Sequence, residues 1–127
     1  MTAFEYADLA LQHFQFAGLL ALNFALVTAL YLTAVWQLSG RLRGVSGFLV
    51  HTLFFGWQSN VAYLAVVTLH AGRQCLLLTG SAMPPSAWAA APWLVPGSAV
   101  LYGSVLALCI AFALAGSRRA GSATATR

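Results

Sequence analysis

Three apolar runs, 14–38, 45–69 and 94–115, make up most of this chain. Each exceeds the ~20 residues that a helix needs to cross a hydrocarbon core of about 30 Å. Composition leaves little alternative. Of 127 residues, 61% are hydrophobic and 6% charged, whereas a water-soluble surface draws on about a quarter charged residues. In lipid the backbone must satisfy its own hydrogen bonds, which favours helices. The ten-residue alternation of a membrane β-barrel is absent. The expectation is an all-α integral membrane protein with three transmembrane helices in a small bundle. It forms one membrane domain, with helices at about 14–38, 45–70 and 94–115, an outer loop at 72–93 and a disordered tail at 116–127.

The loop assignment rests on Gly80, Ser81, Pro84, Pro85, Ser86 and Pro92, which interrupt any fourth span. Trp88 and Trp93 suit headgroup depth. Charge points the same way. With three spans, Arg41 and Arg43 share a side with Arg118, Arg119 and Arg127, while the other side holds Arg73 with Glu5 and Asp8. The positive-inside rule then places the N-terminus outside and the C-terminus in the cytoplasm, as in a multi-pass protein of a bacterial inner membrane. A fourth span would leave two arginines against four. The first ten residues carry two acids and no base, so a cleavable signal peptide is not expected.

Packing is read from small residues at four-residue spacing. The first helix has Ala17, Ala21, Ala25, Ala29 and Thr33; the third has Ala99, Gly103, Ala107, Ala111 and Ala115. Such rows let backbones approach closely in lipid. They serve either packing within the chain or a further subunit. On the second helix, Val50, Leu53, Phe54, Trp57, Val61 and Leu64 form an apolar stripe. The rest of its circumference collects His51, Thr52, Gly56, Gln58, Ser59, Asn60, Tyr63 and His70, and a face this polar calls for protein or water. Counted from the outer helix ends, Asn23, Asn60 and Ser104 all lie about 15 Å deep. They are expected to form a buried polar layer, or with Gln58 and Ser59 a pore lining.

Enzymatic signatures are missing: both acids lie in the first eight residues, and there is no phosphate-cradling glycine loop and no CxxC. Neither metal nor cofactor is expected. The alternative is a redox site, with haem between His13 and His70 at the outer end, or a metal held there with Cys75 or Asp8. No internal disulfide is expected, because Cys109 lies about 22 Å deeper than Cys75.

The segment 58–63, Gln-Ser-Asn-Val-Ala-Tyr, resembles the second-helix motif of membrane-associated glutathione transferases. That motif's Arg and Glu are replaced here, with Trp57 and Tyr63 in their neighbourhoods, so membership is not inferred. In size, three spans, outside N-terminus and basic cytoplasmic tail the chain resembles class I phage holins, which implies a homo-oligomeric pore. The leading expectation is a non-catalytic membrane subunit whose partners are the lipid bilayer and other membrane subunits or itself, with no nucleic acid.

Overall fold

The computed structural model describes residues 2–38, 41–42, 44–79 and 91–122, with side chains as far as residue 116. It contains three helices: α1 Ala3–Leu38, α2 Gly44–Leu78 and α3 Leu94–Ser122. All three are long and apolar enough to cross a membrane, the third over Leu94–Gly116.

The helices are longer than the apolar runs. At the start of α1 the Thr2 amide donates to Glu5 Oε2 at 2.6 Å, and the Glu5 amide donates to Thr2 Oγ1 at 3.3 Å. This reciprocal T-x-x-E cap satisfies amides that a helix start leaves without partners. It lets the helix begin eleven residues before the apolar run. Likewise α2 continues to Leu78. The stretch 72–78, expected in the outer loop, is therefore helical; 80–90 lies outside the described residues. The expected disordered tail is corrected as well: α3 reaches Ser122, and 123–127 lies outside the described residues.

The α1–α2 connection is tight. Leu38 O accepts from the amides of Arg41 and Leu42 at 2.8 and 2.9 Å. Gly44 takes φ +65°, a left-handed conformation that suits glycine. At Gly47 a Cβ would stand 2.6 Å from Leu42 O, so only hydrogen fits there.

From this turn the two helices run antiparallel in one register. Gly72 faces Ala10 and His13, the Gln58 amide reaches Phe24 O, and Tyr31 meets His51. Fourteen residues from Ala10 to Phe24 match fourteen from Gly72 back to Gln58, and seven to Tyr31 match seven to His51. That register sets Ala17 level with Ala65, both buried. The hairpin is thus a seven-residue repeat in four layers. Two are made of small residues at the N-terminal end of α1, and two are aromatic and polar toward the turn.

Seven residues on an ideal helix return to within about 20° of the same direction. Four residues overshoot by roughly 40°. That explains what happens to the expected seam on α1: Ala17 is buried, Ala21 half-buried, and Ala25, Ala29 and Thr33 are exposed. The four-residue row winds out of the interface that the seven-residue row keeps.

The third helix lies in the groove of the hairpin, touching α2 more than α1. Tyr102 meets the Phe24 ring edge-on at 4.8 Å. Cys109 joins a buried cluster with Tyr31, Val35 and Phe54. From Phe24 to Tyr31 and from Tyr102 to Cys109 the step is again seven residues, so α3 runs parallel to α1.

Candidate functional site

The polar groups of the hairpin sort into those turned inward and those turned out. Gln58 is fully buried, the largest side chain so enclosed among the described residues. Its Nε2 donates to Phe24 O at 2.8 Å and to Thr28 Oγ1 at 2.7 Å. Its carbonyl Oε1 is buried without a hydrogen-bond partner. A buried unpartnered acceptor costs about 1–3 kcal/mol, comparable to what its two interhelical bonds contribute. Gln58 therefore fixes how α1 and α2 align more than how strongly they hold.

One layer nearer the turn, Tyr31 and His51 form a second inward pair. The Tyr31 hydroxyl lies 2.7 Å from His51 Nδ1. Its ring stacks on Phe54 at 3.7 Å and 7°, while Phe55 closes the other flank edge-on at 5.8 Å. The hydroxyl is thus held at a helix interface inside an aromatic box, with the imidazole of the facing helix as its partner.

Both carboxylates are held in local contacts of α1. Glu5 closes the helix cap, and Asp8 accepts from Gln12 Nε2 at 2.9 Å. His13 Nδ1 lies 2.7 Å from Leu9 O, one turn back on its own helix. Its Cβ is 3.1 Å from where a Cβ on Gly72 would stand, so His13 faces α2 at the close approach. His70 is exposed. Two residues from Gly72, it is turned about 200° away from α1. His13 thus faces α2, while His70 on α2 turns outward. Among the described residues no three His, Cys, Asp or Glu side chains gather as a metal site. Cys75 is half-buried, Cys109 is buried, and both thiols are free.

The expected polar layer does not assemble inside the chain. Asn23, Ser59, Asn60 and Ser104 are all exposed, and Gln58 alone of that set is buried. The reason is angular. Gln58 points at α1, and two residues later Asn60 points about 200° away. The two cannot line one surface, so a pore wall of Gln58, Ser59 and Asn60 together is not available on α2. The apolar stripe divides too: Phe54 and Val61 enter the core, while Val50, Leu53, Trp57 and Leu64 face outward.

Counting depth without helical phase grouped these residues. Their phase against the seven-residue row, which begins at Ala10 and Gly72, would have separated them.

Comparison with known proteins returned no matching family model, no matching curated protein and no matching solved structure.

The outward surface is itself organised. On α3 the whole row Ala99, Gly103, Ala107, Ala111 and Ala115 is exposed, and a Cβ on Gly103 would meet nothing within 4 Å. The face of α3 that packs inward carries Tyr102, Val105, Leu106 and Cys109 instead. On α2 the face opposite α1 carries Gly56, Ser59, Asn60 and Tyr63, all exposed, with open space at Gly56.

Proposed function

We propose that this chain is a non-catalytic subunit of a larger membrane assembly, joined to its neighbours through α3 and the outer face of α2. The observation that carries the reading is the α3 row from Ala99 to Ala115: backbone-approach residues placed on the side that its own hairpin does not use. Of α3's most apolar stretch 11% is buried, against 22% in α1 and α2. A helix so little covered by its own chain retains most of its surface for other contacts, and close backbone packing is what holds helices together in lipid. The exposed amides of Asn23 and Asn60 add to this, because polar side chains within a bilayer face protein or water. The non-catalytic part of the reading rests on both carboxylates being held in helix-capping and intrahelical bonds.

In this reading the N-terminus lies outside and the C-terminus in the cytoplasm of a bacterial inner membrane, the side of each set by the arginine bias. No cofactor is required. Purification from the native host in a mild detergent, with the mass of the eluting particle measured, is the test. The expected result is a stable complex well above the mass of one chain. A monodisperse monomer with no companion would refute the subunit reading. Replacing Gly103 with Leu should disperse the complex while leaving the helical content of the chain unchanged.

A further inference from the structure

The outer face of α2 has a pattern that names its occupant. Leu49, Leu53, Gly56, Asn60, Tyr63 and Val67 alternate steps of four and three residues, lie on the side of α2 opposite α1, and are all exposed. This is a second seven-residue seam on the same helix. The first, through His51, Gln58, Ala65 and Gly72, is occupied by α1.

We propose that this seam pairs with the same seam of a second copy of the chain, the two α2 helices running parallel about a two-fold axis along the membrane normal. The proposal rests on the assembly reading and names one partner within it. Asn60 decides between a copy and a stranger. It lies three residues, about 5 Å, from the middle of the apolar run 45–69. Its amide makes no hydrogen bond within the described residues. Hydrocarbon offers it none, and an unsatisfied amide in an apolar medium is costly. An amide carries both donor and acceptor, so it is complementary to itself. A two-fold axis sets each residue opposite its own copy, where two Asn60 side chains satisfy each other reciprocally. In the alternation Asn60 takes the position at which a lone asparagine fixes the register and two-stranded state of parallel helix pairs. Gly56, with open space where its Cβ would be, lets the backbones approach one turn away.

The comparable residue on α1 lacks this setting. Asn23 has the exposed Leu19 one turn before it, where Asn60 has Gly56, so no small residue beside it lets a neighbouring backbone approach.

Disulfide trapping of the full chain in native membranes tests the pairing, in a background with Cys75→Ser. Cysteines placed singly at Leu53 and Val67 should cross-link two copies on mild oxidation. Cysteines at Val50 and Trp57, exposed but off the seam, should not. Adding Asn60→Leu to Leu53→Cys should lower dimer yield about tenfold, as expected for losing reciprocal amide bonds. Asn23→Leu should leave it unchanged, and Asn60→Gln should restore part of it. Asn60 is exposed, so these variants retain the fold of the single chain, which circular dichroism checks. Equal cross-linking at all four positions, or no effect of Asn60→Leu, would overturn the pairing. Adducts to a different protein would overturn it while sustaining the subunit reading. No adduct at any position, with a monomer on the column, would overturn both.

Discussion

Replacing Gln58 with Met separates a role in alignment from a role in stability. Met has the same unbranched reach and no strong polar atoms, so the enclosed volume stays filled. The substitution removes two interhelical hydrogen bonds, at 2.8 and 2.7 Å. In a membrane such bonds average about 0.6 kcal/mol each, giving a loss of about 1.2 kcal/mol. It also removes the buried Oε1, which has no partner. Leaving such an acceptor unsatisfied costs about 1–3 kcal/mol, so relief of that penalty balances or exceeds the lost bonds. Gln58→Met should therefore be between neutral and about 2 kcal/mol more stable. Gln58→Ala should lose about 1–3 kcal/mol, because it adds a cavity to the same bookkeeping. Gln58→Glu should be the worst of the three, since it sets an acidic oxygen against Phe24 O in a fully buried site. The assay is reversible unfolding of the purified protein by sodium dodecyl sulfate in mixed micelles, followed by tryptophan fluorescence through the neighbouring Trp57. A Met variant destabilised by more than about 1 kcal/mol would refute the reasoning. It would mean that Gln58 clasps the hairpin rather than aligning it.

Gly72→Leu should force the hairpin apart near the N-terminal end of α1, since even a Cβ there stands 3.1 Å from His13 Cβ and 3.4 Å from Ala10 O. A loss of about 1–3 kcal/mol in the same unfolding assay is expected, and a smaller one for Gly72→Ala. Tyr31→Phe keeps the stack on Phe54 but loses the bond to His51. It should cost about 0.6–2 kcal/mol, and a double-mutant cycle with His51→Leu should show that the two losses are not additive. Thr2→Ala removes the cap of α1. Amide exchange over residues 3–8 should quicken by the equivalent of about 1 kcal/mol, with the membrane part of α1 unaffected.

The three spans were legible from the sequence because hydropathy and length suffice for them. What was not legible was phase. The alanines at four-residue spacing attract the eye, yet Ala25 and Ala29 turn outward while Ala17, Phe24 and Tyr31 hold the interface. Low hydrophobic contrast around each helix conceals this, because lipid-facing and core-facing positions are both apolar. Gln58 was visible as a polar residue in a span, but its neighbours Ser59 and Asn60 suggested a shared surface that helical geometry divides. The Thr2–Glu5 cap was present in plain T-x-x-E form. It lies well before the apolar run that begins at Phe14, so hydropathy carries no sign of it.

A repeat of seven in two antiparallel helices restricts how such a chain can change length. One residue inserted within α1 would turn everything beyond it by about 100° and shift it 1.5 Å. Tyr31 would leave His51, or Ala10 would leave Gly72, according to where the insertion falls. Inserting seven residues in both helices would restore the phase but lengthen the hairpin by about 10 Å, a third of the hydrocarbon thickness. Neither change is easily absorbed. Gains and losses of sequence in descendants of this chain should therefore collect in its connections and ends, leaving the helical stretches 10–38 and 44–72 nearly constant in length.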